Sequence, residues 1–410
     1  MKVIVAHPGQ QHSFKVASAL KKEGYLINYI TAVYDKKDNL AMKLAHLLVR
    51  GHDLSKIAGR KNKDLVDEDV VTYYTFLSLV VIVLSRFAKT KSISYWLDRK
   101  IADLFGKKVA RYAIKHDADA VICFSMNETI CFEYLKKHAP RILRIVDCAN
   151  SPVNYMRYIY EQDSGCSCLK KEVPTFWNEK DLKKQKRGIN NTQYFLAPSE
   201  FVKKGLAYCG VDQNSIKIVP YGTNFAVNDK PQSVPEDVRF IYVGQVTYRK
   251  GMHYLLKAFT ELEEDNIHLD VVGAWKPNSD LYEEYNGCSN ITFHGNVPHE
   301  KVRDLLCSAN VFVFSSLTEG LSLSCLEALS CGLPVICSTN AGANDFIVDG
   351  NNGFVVAPSD IEQLKKHIMY FVNNKTAIPD FSREALKTAR GCTWENYQKM
   401  LMSALKHLNH

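Results

Sequence analysis

The stretch VFVFSSLTEGLSLSCLEALSCGLPVIC, residues 311–337, decides the fold class. Its first four residues form a continuous apolar run, which is typical of a strand buried on both faces of a parallel sheet. A polar loop follows, and a helical stretch begins near Leu321 and is stopped by Gly332 and Pro334. A second apolar run starts at Val335. This order of elements predicts an α/β fold built on a parallel sheet.

The same alternation of strand, loop and helix runs along the whole chain. The predicted strands are Val3–Ala6, Ile27–Ile30, Ala120–Phe124, Ile142–Val146 and Tyr194–Ala197, then Phe240–Val243, Leu269–Val272, Ile291–Phe293, Val311–Phe314, Val335–Cys337 and Phe354–Val356. The polar stretch 228–237 contains two prolines and separates the two series, as a linker would. The sequence therefore predicts two doubly wound domains, residues 1–228 and 229–390, with a ligand cleft between their strand ends.

The end of the chain is predicted to be mostly helical. Helical periodicity runs from Ile361 to His410, with breaks near Pro379 and Gly391. We expect the last segment, residues 391–410, to form a helix that packs back on the first domain.

Composition is that of an ordinary globular protein. Of 410 residues, 46% are hydrophobic and 23% are charged, which argues against disorder, collagen-like structure and a small disulfide scaffold. Residues 1–228 carry 36 Lys and Arg against 22 Asp and Glu, whereas the remainder carries 16 against 22. The basic half suits nucleic acid, an anionic membrane or a phosphorylated acceptor. It contains no aromatic-basic module of a known nucleic-acid-binding type, so nucleic acid is not an expected partner.

The twelve cysteines predict a reducing compartment. They are scattered, and many lie in apolar runs, which is typical of buried thiols. Cys166 and Cys168 form the one close pair and have no partners at zinc spacing, so no metal site is expected. The chain opens on a strand-like run instead of a signal peptide, and we expect a cytoplasmic protein.

One apolar segment, residues 76–84 (FLSLVVIVL), leaves two interpretations open. It is shorter than the roughly 18 residues that a transmembrane helix needs. It suits a helix that packs in the core or against another helix. It also suits an element that touches a membrane surface, which the aromatic and basic flanking residues favour. Those flanking residues are Tyr73, Tyr74, Arg86, Lys89 and Lys91.

The loop after the first strand is suited to an anionic ligand. It contains His7, Gly9 and His12 and leads into a helix from Ser13. Glycine lets the backbone approach a ligand, and the helix N-terminus presents free N–H groups to an anion. The loop lacks the GxGxxG spacing of dinucleotide-binding proteins, which argues against a nicotinamide-dependent dehydrogenase.

Two loops in the second half add cations and carboxylates. Arg249 and Lys250 lie at a strand-to-helix connection, where they can converge on a diphosphate. Glu319 lies in the loop after strand 311–314 and Glu327 in the helix that follows. Their separation exceeds the ~5–5.5 Å between the paired carboxyl groups of a retaining glycosidase. We therefore expect the two carboxylates to bind hydroxyls on different parts of a ligand whose phosphates lie at the helix N-terminus.

Taken together, these residues resemble the retaining glycosyltransferases of family 4, bacterial surface-polysaccharide type, which have the GT-B fold of two facing Rossmann-like domains. The resemblance is clearest from Tyr194 to Val356 and holds only in outline before it. The motifs that carry it are Ala197-Pro198-Ser199-Glu200-Phe201, residues 218–224, Val243-Gly244 with Arg249-Lys250-Gly251, the pair Glu319 and Glu327, and residues 342–353.

The resemblance implies roles for individual residues. Glu319 would contact hydroxyls of the donor sugar, Glu327 would contact the donor ribose, and Lys250 with Arg249 would bind the diphosphate. The loop Gly295-Asn296-Val297 would hold the nucleobase. Further donor-binding residues would be Gly9, Gly244, Gly251, Gly320, Leu321, Ser322 and Leu323. The resemblance implies no metal or other cofactor, because cations and helix dipoles stabilise the leaving group.

The chain departs from the family pattern at several positions. Gln245 stands where many relatives have a basic residue, Ser322 where glycine is frequent and Asp345 where glutamate is common. The catalytic histidine of many relatives is absent from residues 145–152. Candidates for the acceptor side are His7, His12, Asp147 and Asn150.

The leading functional hypothesis is a hexosyltransferase. It would move a hexose or N-acetylhexosamine from a UDP- or GDP-sugar to a glycan or polyprenyl-linked acceptor in surface polysaccharide or lipopolysaccharide assembly. A peripheral contact with an anionic membrane would place it at the inner face of the membrane. Two alternatives stay open, a soluble small-molecule acceptor and a catalytically inactive module that binds nucleotide sugars. The intact Glu319, Glu327 and Lys250 weigh against the inactive module.

Overall fold

The computed structural model describes residues 1–9, 11–36, 39, 42, 61–85, 87, 90–262, 264, 267–276 and 279–408. These residues form two parallel β-sheets flanked by helices, which confirms the predicted α/β class. We call residues 1–228 the N-terminal unit and residues 229–390 the C-terminal unit. The boundary between them stays a prediction.

The N-terminal unit is built on a sheet in the order β3-β2-β1-β4-β5-β6-β7, with every pairing parallel. Its strands are β1 Val3–Ala6, β2 Leu26–Thr31, β3 Val70–Thr72, β4 Ala120–Phe124, β5 Leu143–Asp147, β6 Tyr194–Ala197 and β7 Ile216–Ile218. In β1, Val3 and Val5 join one buried cluster while Ile4 and Ala6 join another. Because side chains alternate along a strand, this sheet is covered on both faces.

The helices of this unit connect consecutive strands. They are α1 Ser13–Lys22, α2 Thr75–Leu84, α3 Lys91–Lys115, α4 Thr129–His138, α5 Val153–Glu161, α6 Cys166–Glu172, α7 Glu179–Asn191 and α8 Glu200–Tyr208. The two edge strands, β3 and β7, were not predicted from the sequence. Each has only three residues, which is too short for a recognisable apolar run.

The C-terminal unit has a sheet in the order β10-β9-β8-β11-β12-β13, again parallel throughout. Its strands are β8 Val238–Val243, β9 Ile267–Val272, β10 Ile291–Gly295, β11 Val311–Phe314, β12 Val335–Ser338 and β13 Gly353–Val356. Its helices are α9 Met252–Glu261, α10 Asp280–Tyr285, α11 His299–Ser308, α12 Leu323–Ser330, α13 Ile361–Asn373 and α14 Ile378–Ala389.

Both sheets share one winding pattern. Each begins at a central strand, proceeds to one edge and then returns to fill the other side, so the order reverses between β1 and β4 and between β8 and β11. Ligands of open α/β sheets bind outside the carboxyl ends of the strands at such a switch point. The loops after β1, β4, β8 and β11 are therefore where a site is expected.

The two units meet through loops at these carboxyl ends. Asn150, after β5, accepts a hydrogen bond from the Gly320 N–H, after β11, at 3.0 Å. The Tyr160 hydroxyl also contacts the Thr318 hydroxyl. A Cβ atom at Gly320 would lie 1.8 Å from the carbonyl oxygen of Ala149, so only glycine permits this approach. Loops at the carboxyl ends of the two sheets thus contact one another.

The last helix, α15 Trp394–Lys406, returns to the N-terminal unit and packs on α1. The Lys15 Nζ lies 5.1 Å from the centroid of the Trp394 ring. The Thr223 N–H donates to the Cys392 carbonyl at 3.0 Å, which joins the end of the N-terminal unit to the turn before α15. The chain therefore crosses between the units a second time near residue 390.

Helix α2, the apolar segment of the sequence, is only partly covered. It contacts α3, as the helix-packing interpretation expects, and Thr75 and Val81 are buried. Phe76 is 64% exposed, and Leu77 and Val83 are also exposed. The flanking residues Arg86 and Lys89 lie outside the described residues. Within the described part of the chain, no helix is both long enough and apolar enough to cross a membrane.

Candidate active site

Two cations lie at the carboxyl end of β8, on a short 3₁₀ turn, Tyr248–Lys250. Gly251 closes this turn with a φ of 67°, which glycine adopts readily. A Cβ atom at Gly251 would lie 2.0 Å from the Ser315 carbonyl oxygen, so the turn sits directly against the loop after β11. The Leu317 N–H donates to the Arg249 carbonyl at 3.1 Å. The backbone thus fixes both cations beside the loop that carries Glu319.

Glu319 joins both cations through one oxygen. Arg249 Nη1 donates to Glu319 Oε1 at 2.9 Å, and Lys250 Nζ donates to the same oxygen. Burial acts to raise the pKa of Glu319, but the charges of Lys250 and Arg249 outweigh it and hold that pKa below its ordinary value. Glu319 is therefore ionised at neutral pH and can accept further hydrogen bonds.

The cations respond differently to the same environment. Burial lowers the pKa of Lys250, although the Glu319 charge opposes the shift. Burial also acts to lower the pKa of Arg249, but Glu319 outweighs it and the pKa is raised. Two positive charges thus share one carboxylate. The excess of one positive charge over Glu319 suits an anionic ligand.

Glu327 sits in a different environment. Burial raises its pKa to about 7, and no cation opposes the shift. Its carboxylate has no hydrogen-bond or ion-pair partner among the residues described. Glu319 and Glu327 therefore differ in charge state near neutral pH, although they lie only eight positions apart.

Helix α12 starts at Leu323, two residues later than the sequence predicted. The Ser322 N–H donates to the Ala341 carbonyl at 3.1 Å, which holds residue 322 in extended conformation before the helix. The Glu319 N–H likewise donates to the Asn340 carbonyl at 2.9 Å. The loop after β12 thus supports the loop after β11. The N–H groups in the first turn of α12 point out of the N-terminal end of the helix, which is its end nearest the cleft.

The loop after β1 supplies His7 and Gly9. The Gly9 N–H donates to His7 Nδ1 at 2.8 Å, so this amide, which the resemblance assigns to the donor, is engaged within the loop. Burial lowers the pKa of His7 to about 4. The ring is therefore neutral, with its proton on Nε2, since Nδ1 accepts. That Nε2 is buried and has no partner among the described residues.

His12 and Asp147 are brought together from the ends of β1 and β5. His12 Nε2 lies 2.9 Å from Asp147 Oδ2. The hydroxyl of Tyr221 donates to Asp147 Oδ1 at 3.4 Å, and that of Tyr397, in α15, donates to Oδ2 at 3.5 Å. Asp147 is thus surrounded by groups from three distant parts of the chain. The sequence named His12 and Asp147 separately but gave no sign that they pair.

The predicted nucleobase loop lies at the carboxyl end of β10. Gly295 has a φ of 70°, and a Cβ atom there would lie 3.4 Å from the Trp275 ring. Trp275 stacks on Tyr282 with ring centroids 4.3 Å apart, and Val297 is partly buried against the same core. Sequence analysis missed Trp275. Its position just after a predicted strand, beside the predicted loop, was the available signal.

Glu172 is a second residue that the sequence did not single out. Its Oε2 accepts the Tyr248 N–H at 2.7 Å, and its Oε1 accepts the Arg249 N–H at 3.3 Å. The carboxylate thus comes from the N-terminal unit and holds the basic turn of the C-terminal unit. An acidic residue at the end of a lysine-rich helix gives no local signal for such a contact.

The departures from the family pattern also have structural consequences. Asp345 Oδ2 accepts the Glu200 N–H at 2.7 Å, at the start of α8, so it links the two units. Gln245 is exposed, and its carbonyl accepts the Tyr242 hydroxyl at 2.8 Å. The Gly244 N–H donates to the Val272 carbonyl at 2.9 Å. Among the described residues, no group of three or more His, Cys, Asp or Glu side chains could hold a metal ion.

The C-terminal unit is similar to known glycosyltransferases. Residues 226–389 match the family model described as glycosyl transferases group 1. The O-antigen chain mannosyltransferase B of Escherichia coli is 29% identical over 175 residues, which cover 41% of this chain and 45% of that protein. The chain thus spans about half the length of this curated relative.

Solved structures match over the whole chain. A sucrose-phosphate synthase from Thermosynechococcus elongatus has a TM-score of 0.65 at 16% identity, covering 100% of this chain and 99% of that one. Anabaena HepE, solved in complex with UDP, has a TM-score of 0.63 at 14% identity, covering 99% and 100%. At these identities the similarity establishes the fold alone. Residues 226–389 are therefore similar to the glycosyl transferases group 1 family, and the chain as a whole has the GT-B fold of two facing α/β units.

Proposed function

We propose that this chain is a retaining glycosyltransferase that moves a hexose or N-acetylhexosamine from a UDP- or GDP-sugar to a glycan or lipid-linked acceptor in surface polysaccharide assembly. The observation that carries the proposal is the largely buried cluster of Arg249, Lys250 and Glu319. It combines an excess of positive charge, which suits a diphosphate, with an ionised carboxylate, which suits sugar hydroxyls. The cluster lies at the switch point of the second sheet.

Donor binding would use the C-terminal unit. Arg249 and Lys250 would bind the diphosphate, with help from the amides of Leu321 and Leu323 at the start of α12. The amide of Ser322 is already engaged by the Ala341 carbonyl. Glu327 would accept hydrogen bonds from the ribose hydroxyls. The nucleobase would lie at Gly295-Asn296-Val297. The description of HepE in complex with UDP supports a uridine donor by fold analogy.

The reaction would be a front-face displacement that needs no protein nucleophile. The acceptor oxygen bonds to the anomeric carbon on the face from which the nucleoside diphosphate leaves. The bond from that carbon to the phosphate oxygen breaks, its electron pair stays on the phosphate, and a phosphate oxygen takes the acceptor proton. Arg249 and Lys250 stabilise the charge that develops on the leaving group, and Glu319 holds a donor-sugar hydroxyl. No metal ion is required in this scheme.

The acceptor would occupy the side formed by the N-terminal unit. The pair His12 and Asp147, the neutral His7 and the amide of Asn150 offer hydrogen bonds there, and Asn150 contacts the Glu319 loop through Gly320. The name of the O-antigen relative supports a surface glycan as acceptor. A lipid-linked acceptor would place the protein in the cytoplasm, in peripheral contact with the inner face of the membrane.

The first experiment is a thermal-shift panel with UDP, GDP, ADP, CMP and their sugar conjugates, with and without Mg²⁺. A ligand that binds the folded state raises the midpoint. We expect one nucleoside diphosphate and its sugar to stabilise the protein without metal, which would identify the donor class. Stabilisation only with Mg²⁺ would contradict metal independence, and no response from any nucleotide would contradict the donor site.

A matched pair of variants connects this binding to the cluster. Lys250→Met removes the buried charge and keeps the length of the side chain, and Lys366→Met removes an exposed charge on α13. We expect Lys250→Met to weaken nucleoside diphosphate binding roughly 10- to 100-fold, as loss of a buried charge-assisted bond would. Equal affinity in Lys250→Met and wild type would remove Lys250 from the site.

Turnover assays separate the remaining alternatives. Transfer to undecaprenyl-diphosphate-linked sugars supports a lipid acceptor, whereas transfer only to free sugars or sugar phosphates supports a soluble one. Nucleotide binding without hydrolysis or transfer would indicate an inactive binding module. Proton NMR of the product tests the stereochemistry, because an inverted anomeric configuration would contradict the retaining mechanism.

A further inference from the structure

Exposed apolar side chains are concentrated on one helical hairpin of the N-terminal unit. Eight of the fifteen large hydrophobic residues that are exposed in the described chain lie between residues 76 and 104, which is far more than their share of the sequence. They are Phe76, Leu77, Val83, Phe87, Ile93, Tyr95, Trp96 and Leu104. We call α2 with α3 the amphipathic hairpin. Such a concentration on one surface marks a binding face.

Helix α2 is apolar on both its covered side and its open side. Its ten residues, TFLSLVVIVL, include no charged side chain. Val81 is buried, and Leu79 and Ile82 pack on a small cluster with Ala32 and Val33, so one side is anchored to the unit. Phe76 on the other side remains 64% exposed. An isolated surface helix of a globular protein would carry polar residues there.

Helix α3 is longer than the sheet that it crosses. Its 25 residues extend about 37 Å, whereas a strand of five residues extends about 17 Å. Its C-terminal end leads to the start of β4, so its N-terminal part projects beyond the carboxyl ends of the strands. That part carries the exposed Ile93 and Trp96. Helix α2 starts just after β3, at the same edge. The exposed apolar surface therefore lies on the cleft side of the unit.

Positive charge follows the apolar part along α3. Residues 91–115 contain seven Lys and Arg against two Asp, and Lys100, Lys107, Lys108 and Arg111 are exposed. One of the two acids, Asp103, is paired with Lys184 at 2.7 Å. Aromatic and aliphatic side chains at one end of a helix, followed by unpaired lysines, are typical of an element that lies in the surface of an anionic bilayer.

We propose that the amphipathic hairpin docks the protein on an anionic lipid bilayer, with Phe76, Leu77, Ile93 and Trp96 in the interfacial layer and the α3 lysines on acidic headgroups. This proposal deepens the proposed function, and it rests on that function for the lipid-linked acceptor. Helix α2, about 15 Å long, lies on the bilayer without crossing it. Docking at this edge turns the cleft towards the lipid surface, where a lipid-linked acceptor would be presented.

The charge distribution favours lipid over a second copy of the chain. A symmetric contact through this face would bring two basic α3 helices together, and their charges would repel each other. The net charge also differs in sign between the two halves of the chain, with the basic half carrying the hairpin. An anionic surface is therefore attracted to this side of the molecule.

Vesicle flotation tests the proposal directly. The full chain is mixed with phosphatidylcholine vesicles that contain either no phosphatidylglycerol or about a third of it, at low and high salt. We expect at least tenfold more bound protein on the acidic vesicles at low salt, and a marked decrease in high salt. Absence of binding to acidic vesicles at low salt would overturn the proposal.

Two sets of variants assign the binding to the hairpin. Phe76→Ser with Trp96→Ser removes exposed apolar side chains and should reduce vesicle binding at least tenfold. Its matched control is Val234→Ser with Val348→Ser, which removes two similarly exposed apolar side chains outside the hairpin and should leave binding unchanged. Lys107→Glu with Lys108→Glu should abolish the preference for acidic vesicles, whereas Lys301→Glu with Lys366→Glu, also exposed, should not. Equal loss in variant and control would overturn the assignment.

Two further measurements separate the outcomes. Light scattering measures whether the wild-type protein is a dimer. If it is, and the Phe76→Ser, Trp96→Ser variant is a monomer, the hairpin binds a second copy of the chain and the lipid proposal is wrong. Nucleotide thermal shifts of the same variant should match wild type. If vesicles bind and nucleotides do not, the proposed function fails and the docking surface stands. If nucleotides bind and vesicles do not, only the docking surface fails.

Discussion

The N-terminal and C-terminal units wind their sheets in the same way but place different chemistry at the strand ends. In the C-terminal unit, buried Glu319 is ionised because two cations contact it. In the N-terminal unit, buried Glu128 follows β4 and faces a small enclosed cavity. Its pKa is raised to about 7 by burial, and its Oε2 has no partner in the described structure. One winding pattern thus supports a charged site and a nearly uncharged one.

This difference means that the two units offer different chemistry to a ligand. A diphosphate needs fixed positive charge, and fixed charge in a protein interior needs compensating partners. The C-terminal unit supplies both within one pair of loops. The N-terminal unit offers neutral or internally paired groups, such as His7 and the pair of His12 with Asp147. Groups of this kind suit the hydroxyls of an acceptor.

The largest effect that tests this contrast is expected at Glu319. Glu319→Gln keeps the shape but removes the negative charge beside Arg249 and Lys250. We expect turnover to fall about 10²- to 10³-fold, as loss of a preorganised charged group in a cleft would cause. Nucleoside diphosphate binding should not weaken, because Arg249 and Lys250 remain and no longer pair with a carboxylate that competes with the phosphates. Steady-state kinetics and calorimetry measure the two quantities.

The control for this variant is Glu300→Gln, an exposed acid on α11. It should leave both quantities unchanged. A Glu319→Gln protein with wild-type turnover would show that the charged cluster is not the reacting centre.

Loss of the carboxylate should be favourable at Glu128, where it should stabilise the folded protein, whereas at Glu319 it should lower turnover. Its pKa is about 7 in the folded protein against an ordinary value of 4.5. Between these pH values the folded state holds a proton that the unfolded state has lost, so stability falls as the pH rises from about 4.5 to 7. Glu128→Gln should remove this loss and raise the free energy of unfolding at pH 8 by roughly 2–3 kcal/mol.

Denaturant unfolding at pH 4 and pH 8 checks the Glu128 prediction. The variant and wild type should agree at pH 4, where Glu128 is neutral in both states. If Glu128→Gln is less stable than wild type at pH 8, Glu128 is ionised and paired. That result would contradict the contrast drawn between Glu128 and Glu319.

A smaller effect concerns the pH dependence of donor binding. Glu327 would bind ribose hydroxyls as a carboxylate, but burial raises its pKa to about 7. Its ionised fraction rises through this pH, so nucleoside diphosphate affinity should increase roughly tenfold between pH 6 and pH 8. Calorimetric titrations at several pH values test this, after correction for phosphate ionisation measured with Glu327→Gln. Identical pH profiles for wild type and Glu327→Gln would contradict the assignment.

The smallest effect is expected where the two units meet. Glu172 from the N-terminal unit accepts the N–H groups of Tyr248 and Arg249. Glu172→Gln weakens one of these charge-assisted bonds and should lower kcat/KM roughly threefold to tenfold. Small-angle scattering should show a slightly larger radius of gyration, since the cleft opens more readily. Glu179→Gln, an exposed acid in the same unit, is the control. If Glu172→Gln has the radius of gyration and the kcat/KM of wild type, Glu172 only caps the turn Tyr248–Lys250 locally.

Much of the C-terminal unit could be predicted from the sequence, because its signals are local. Strand β11 is a continuous apolar run, and Arg249, Lys250, Glu319 and the glycines beside them lie in loops between predicted elements. In the N-terminal unit, the predicted start of α1 at Ser13 and the predicted bounds of β1 and β4 also agree with the structure. The edge strands β3 and β7 were missed because three residues are too few to show a period.

The N-terminal side of the site depended on contacts between residues far apart in the chain. His12 pairs with Asp147, Asn150 contacts Gly320, and Glu172 holds the basic turn. None of these pairs lies within one element. Trp275 was missed for a related reason, since it follows β9 whereas the predicted nucleobase loop follows β10, and the two meet only in the folded chain.

The sequence by itself determined the α/β class, the two sheets and the identity of the cations and carboxylates of the C-terminal unit, because apolar runs and loop residues encode them locally. Only the tertiary structure decided the charge states of Glu319 and Glu327, the pairing of His12 with Asp147 and the exposure of α2. The physical reason is that pKa values and exposure depend on burial and on neighbours from other segments. These neighbours are set when the chain folds.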